Sequence, residues 1–175
     1  MRRELLIGCG SNWDKRLHMG QPEWDELTTL DYNSDHNPDV VHDLMELPYP
    51  FLDDAFNEVH AYEVLEHTGT QGDYKFFFAQ FSEFWRILKN GGFLICTCPS
   101  RHSPWAFGDP SHTRVLQPEQ LVFLRQPEYT AQVGVTPMSD FRNIYKADFD
   151  VKHCHDDGQT FSFVLQAIKP SRIHG

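Results

Sequence analysis

Apolar positions in the first hundred residues alternate between strand-like runs and a helical stripe. Leu5-Leu6-Ile7, stopped by Gly8, predicts a first strand, and Leu27 to Tyr32 a second. Val40-Val41-His42 predicts a third, Glu58 to Tyr62 (with Val59 and Ala61 apolar) a fourth, and Gly92 to Cys98, stopped by Pro99, a fifth. Tyr74, Phe77, Phe78, Phe81, Phe84, Trp85 and Leu88 recur at the i, i+3, i+4, i+7 spacing of a helix face laid on a sheet. They predict a helix from about Asp73 to Lys89, ended by Asn90-Gly91-Gly92, residues that tolerate left-handed backbone. Strands alternating with helical segments are the mark of a parallel α/β sheet.

After Pro99 the texture changes. Residues 100–146 carry Pro104, Pro110, Pro118, Pro127 and Pro137, and Gln117-Pro118-Glu119-Gln120-Leu121 reads as a helix start with proline in its first turn. Phe149 to His155 and Phe161 to Ile168 restore strand pattern around the loop Asp156-Asp157-Gly158, a hairpin that closes the sheet with an antiparallel strand.

The chain of 175 residues suits one domain, 1–175, with 100–146 as a variable substrate-side segment. No run of about 18 apolar residues spans a membrane. The apolar start before Gly8 is too short for a signal-peptide core, so a cytoplasmic location is expected. A formal net charge of -10, with no basic run, disfavours long nucleic acids as partners. Of the four cysteines, Cys96 and Cys98 fall on one strand face and read, like Cys9 and Cys154, as reduced thiols rather than a disulfide or zinc set.

The chemistry gathers where predicted strands end. Ile7-Gly8-Cys9-Gly10-Ser11-Asn12 lets backbone approach a ligand closely. Asp31 ends the second strand about 20 residues after the loop, where a carboxylate accepts from ribose hydroxyls. Trp13 stands where a dinucleotide loop needs its third glycine, which weighs against NAD. Asp43-Leu44 follows the third strand; the aspartate suits an adenine amino group or a turn cap equally. Tyr62-Glu63-Val64-Leu65-Glu66-His67 follows the fourth, and Ile87-Leu88-Lys89-Asn90-Gly91-Gly92 leads into the fifth.

Taken in order over roughly residues 4 to 125, these motifs resemble the class I S-adenosylmethionine-dependent methyltransferases. The resemblance implies an α/β Rossmann-like three-layer sandwich. Its sheet is mostly parallel, seven-stranded or slightly reduced, with an antiparallel C-terminal strand. It also implies an S-adenosyl-L-methionine site at Gly8, Cys9, Gly10, Asp31, Tyr32, Asp43, Leu44, Tyr62 and Glu63. The acceptor would be a small molecule or a saccharide- or lipid-linked group. Two positions depart from the pattern: Leu6 replaces the usual acidic residue and Asn12 the third loop glycine. Gly20 and Pro22 leave the first helix short or broken. A non-catalytic protein retaining the fold is the rival reading.

His67, His102 and His112 are candidate bases near the strand ends, with His67 and His112 the catalytic candidates. The E-x-x-E-H spacing of Glu63, Glu66 and His67 also resembles metal-dependent O-methyltransferases, and His112 in Asp109-Pro110-Ser111-His112 matches their later histidine. That resemblance implies Mg²⁺, Mn²⁺ or Zn²⁺ held by Glu63, Glu66, His67 and His112, with the metal acidifying a hydroxyl. His153-Cys154-His155 reads as an exposed strand face, both histidines on one side.

Overall fold

The computed structural model describes residues 1–173. Strands β1 (Arg3–Ile7), β2 (Glu26–Asp31), β3 (Val40–Val41), β4 (Phe56–Tyr62), β5 (Leu88–Pro99), β6 (Phe149–Asp156) and β7 (Thr160–Ala167) form one seven-stranded sheet. Its order is β3-β2-β1-β4-β5-β7-β6. The first five strands pair in parallel, and β7 runs antiparallel to both β5 and β6. The chain steps outward from β1 to β3, then returns to the other side of β1 with β4. That reversal opens a crevice at the carboxyl ends of β1 and β4, where open α/β sheets bind ligands.

Strand alternation divides the side chains between two faces. Leu5, Ile7, Val59, Ala61, Leu94, Cys96, Phe161, Phe163 and Leu165 join one core with α1 (Tyr74–Ile87). Asp73 caps this helix, its carboxylate accepting from the Phe76 N–H at 3.0 Å. Phe81, Phe84 and Ile87 are fully buried, each contributing roughly 1.5–3 kcal/mol by leaving water. The helix stops at Ile87, before the expected glycine cap. Leu88 already pairs with Phe56 of β4, so the sheet captures residues 88–92 as the start of β5. The expected helix start at Pro118 is a 3-10 turn (Pro118–Leu124), lying between the short helices α2 (Trp105–Gly108) and α3 (Gln126–Gln132).

On the second face the first helix, expected to be short or broken at Gly20 and Pro22, does not form. No helix forms between Ser11 and Asp25; irregular chain covers Leu6, Tyr62, Ile95 and Val164 with Leu17 and Trp24. Charge, more than apolar area, fastens this strap. The Lys15 ammonium lies 2.7 Å from Glu4 Oε1 and 3.5 Å from Glu58 Oε2, with all three side chains buried. Arg2 also pairs with Glu58. His60 Nε2–H donates to Glu58 at 3.0 Å, the Tyr62 hydroxyl donates to His60 Nδ1 at 2.6 Å, and Tyr62 accepts the Leu17 N–H at 3.2 Å. Glu4, Glu58 and His60 have metal-ligand proximity, but the Lys15 ammonium stands there as the cation.

Candidate functional site

The glycine loop leaves β1 at Gly8, whose φ of +58° is left-handed and where a Cβ would overlap the Val64 side chain. Glycine is thus required there twice over. Asp31, nearly buried at the tip of β2, accepts the Gly10 N–H at 2.9 Å and the Asn33 N–H at 2.9 Å. The acid therefore ties the loop to the next strand, with lone pairs left for a ligand.

Beside it opens a cavity of about 500 Å³. Gly8, Asp31, Tyr32, Asp43, Leu44 and Glu63 of the expected cofactor set line it. Asp43 also accepts the Met45 N–H at 2.9 Å, so it caps a turn while facing the cavity. Three expected residues do not line it. Tyr62 packs into the second-face cluster because odd and even strand positions diverge, and Cys9 joins it because the left-handed Gly8 breaks the alternation of β1. Gly10 contributes through its bond to Asp31 instead. Leu30, His42, Met45, Val64, His67, Thr68 and Ser111 also line the wall; His42, Val64, His67 and Ser111 stand within the motifs, and the others carry no separate signal in sequence.

A second cavity of about 430 Å³ lies alongside, lined by Glu63, Glu66, His67, Ser103, Trp105, Asp109 and His112 among others. Glu63 and His67 belong to both walls. Glu63 holds a left-handed φ of +54°, fixed by its N–H donating to the Thr97 carbonyl at 2.8 Å. A non-glycine residue in this conformation carries strain of order 1–3 kcal/mol. Such strain is common at ligand sites.

Glu66, His67 and His112 bring one ligand atom each within 4.8 Å of one another. Their surroundings fix which atoms those are. His112 Nδ1–H donates to the Trp105 carbonyl at 2.8 Å, leaving Nε2 as a lone pair. The Ser111 hydroxyl donates its proton to Asp109 at 2.6 Å, so it accepts from His67 Nδ1–H at 3.1 Å. Both Nε2 atoms are then free acceptors. Glu66 Oε2 is buried with no hydrogen-bond partner. Burial pushes the Glu66 carboxyl up to about 8, and the negative charge of Glu63 adds to the shift. Glu66 Oε1 lies 3.9 and 4.0 Å from the two Nε2 atoms, and a buried carboxylate beside two imidazole lone pairs is a donor set that fits a divalent cation.

The other candidates fall elsewhere. His102 is exposed beside Arg101 and lines neither cavity. His153 and His155 share an exposed face of edge strand β6, ring centroids 6.3 Å apart. All four cysteines are free thiols. Segment 100–146 supplies Ser103, Trp105, Asp109, Ser111 and His112 to the two cavities.

Strand order, glycine loop and carboxyl-edge cavity together define the Rossmann-like methyltransferase fold. No family model matches the sequence, and neither does any curated protein. Solved structures match over nearly the whole chain. An Archaeoglobus fulgidus S-adenosylmethionine-dependent methyltransferase is 17% identical, with a TM-score of 0.58 covering 94% of this chain and 86% of that one. One from Aquifex aeolicus is 12% identical, TM-score 0.54, covering 95% and 82%. The N-methyltransferase NodS of Bradyrhizobium japonicum, in complex with S-adenosyl-L-homocysteine, is 13% identical, TM-score 0.52, covering 95% and 78%. No helix among the described residues is long and apolar enough to cross a membrane.

Proposed function

We propose that this chain transfers a methyl group from S-adenosylmethionine to a hydroxyl of a small molecule or saccharide- or lipid-linked acceptor. The observation that carries the reading is the meeting of two cavities at Glu63 and His67. The larger would hold the cofactor between the glycine loop, Asp31 and Asp43. The smaller would hold the acceptor, walled by Trp105 and the two histidines. Methyl transfer is an in-line displacement, and setting an acceptor oxygen about 3 Å from the methyl carbon supplies much of the rate. A net charge of -10 favours neutral or cationic small acceptors over nucleic acid.

In this reading Glu63, Glu66, His67 and His112 hold a divalent cation. Such a cation would lower the pKa of a bound hydroxyl and neutralise the oxyanion that attacks. Trp105 and Ser111 serve by fixing the tautomers of the two imidazoles.

Calorimetric titration with S-adenosylhomocysteine, followed by Mn²⁺, tests both halves. Saturable one-to-one binding in about the micromolar range is expected for the first. A Mn²⁺ isotherm that disappears in Glu66→Gln, with S-adenosylhomocysteine binding kept, is expected for the second. Absence of S-adenosylhomocysteine binding would overturn the enzyme reading in favour of a non-catalytic protein. The buried Leu6, where the resemblance calls for an acid, is the observation favouring that rival.

A further inference from the structure

Two residues beyond His112, Arg114 is only 5% exposed and forms no ion pair among the described residues. Its Nε donates to the Leu65 carbonyl at 2.9 Å, and Nη2 donates to Thr68 Oγ1 at 2.8 Å and to Gln80. Nη1 makes no hydrogen bond among the described residues. A buried guanidinium with no carboxylate within ion-pair distance is costly, and the Glu66 charge offsets this only at longer range. Burial accordingly pulls its pKa down to about 10.

Arg114 lines a cavity of about 170 Å³ that shares no residue with the two described above. Its other wall is aromatic: Tyr74, Phe77, Phe78, Phe123 and Phe141. Phe141 packs 5.5 Å from Tyr74, 4.9 Å from Phe78 and 5.7 Å from Phe123 between ring centroids. An engineered apolar cavity of about 150 Å³ accepts benzene, so one ring fits this volume and a nucleotide does not. Three oxygens of the polar wall are engaged: Gln71 accepts the Val115 N–H at 2.8 Å, Gln120 the Gln117 N–H at 3.1 Å, and Asp73 the Phe76 N–H at 3.0 Å. The Asp73 carboxylate repels an anion, which sets the charged end of a ligand toward Arg114.

We propose that this cavity binds a small aromatic monocarboxylate, its ring among the phenylalanines and its carboxylate on Arg114 Nη1. The geometry supplies both elements of recognition, an apolar cage sized for one ring and a buried cation lacking its anion. A neutral ring would leave the guanidinium uncompensated. A cation would face Arg114 directly.

The test is calorimetric titration of the full chain with benzoate and, as neutral isostere, benzyl alcohol. Benzoate is expected to bind saturably at one site, and benzyl alcohol about 10- to 100-fold more weakly, the worth of a hydrogen bond to a charged group. Arg114→Gln should bring the two ligands to equal affinity. That change also removes three internal hydrogen bonds, so Phe141→Trp serves as a second variant: it fills the cage, leaves Arg114 in place and should abolish binding. Saturating S-adenosylhomocysteine should leave the benzoate isotherm unchanged. Equal affinity for the two ligands in the parent, binding that survives Phe141→Trp, or competition by S-adenosylhomocysteine would overturn the proposal. So would the absence of saturable benzoate binding at about 10 mM, ten times a Kd of about 1 mM. None of these readouts depends on methyltransferase activity.

Discussion

The imidazoles of His67 and His112 meet edge to face, ring centroids 4.7 Å apart, and both turn Nε2 toward Glu66 Oε1, at 3.9 and 4.0 Å. Two histidines separated by 45 positions in sequence are brought together because Thr113 N–H donates to the Glu66 carbonyl at 2.9 Å. That bond lays the Asp109–Arg114 stretch along the Glu63–His67 turn. With Nδ1 of each ring engaged by protein, the pair is preorganised as acceptors. In the proposed function, little ordering would remain to be done on binding a cation.

Ser111 holds one of these rings without facing a cation itself. Ser111→Ala removes the acceptor of His67 Nδ1–H and frees that ring to rotate. Mn²⁺ affinity is expected to fall about tenfold, the lower end of losses from such supporting bonds, while S-adenosylhomocysteine affinity holds. His112→Ala should remove Mn²⁺ binding altogether. Electron paramagnetic resonance of free Mn²⁺ reads both, and unchanged Mn²⁺ binding in His112→Ala would exclude the four-residue cation site.

Gly8 has no room for a side chain, since a Cβ would strike Val64. Gly8→Ala must shift either the loop or the Val64 turn that carries Glu63. S-adenosylhomocysteine binding is expected to drop by at least tenfold, about 1.4 kcal/mol. Gly10→Ala meets nothing within 4 Å and carries only the cost of its φ of +51°. The two variants, titrated side by side, separate close approach from backbone strain.

Glu63 spends stability on its position. Its φ of +54° suits glycine and opposes a β-branched residue. Glu63→Gly should melt at or above the parent temperature, and Glu63→Val below it. The Gly–Val difference is of order 1–3 kcal/mol, or roughly 2–10 °C for a chain of this size. Both should lose activity. A melting order with valine on top would show that the left-handed turn is absent in solution.

The sheet was legible because each strand is a short apolar run bounded by glycine, proline or acid, and α1 because its aromatic stripe keeps one period for fourteen residues. Asp31 was legible from its distance to the glycine loop. The second-face packing of Tyr62 was legible too: Val59 and Ala61 are core, so the even positions 60 and 62 face the other way. The strap over residues 11–25 was not legible in any local pattern. It is held by Lys15 reaching Glu4 and Glu58, which are distant in sequence and silent until the sheet aligns them. Ser111 and Asp109 had a faint signal in standing beside His112, but their order of hydrogen bonds emerges only in three dimensions.

The buried cluster beneath that strap gives the protein a defined acid response. Burial opposes ionisation of Glu58, but the His60 hydrogen bond and the charges of Lys15 and Arg2 outweigh it and hold its pKa near 2, below the ordinary 4.5. The folded state therefore binds the Glu58 proton less readily than the unfolded chain does. Its stabilisation is complete above about pH 4.5 and is lost as the pH falls toward 2. His60 acts in the same direction at higher pH: burial lowers its pKa below the ordinary 6.5, so protons favour the unfolded chain once the pH drops below that value. Glu66, raised to about 8, acts the other way between about pH 8 and 4.5, so in a Glu66→Gln background urea unfolding should give a plateau above about pH 6.5 and a continuous fall beneath it. Lys15→Met removes the ammonium between two carboxylates, leaving Glu4 buried without its cation and Glu58 with Arg2 alone, which should cost roughly 3–5 kcal/mol at pH 7. With that charge gone, the Glu58 pKa rises and protonation relieves the repulsion. The cost of Lys15→Met should therefore shrink as the pH is lowered from 7 to about 4, whereas a residue that merely packs gives a constant cost. A cost that stays constant across that range would show that the lysine acts through its aliphatic stem on Trp24 and not through its charge.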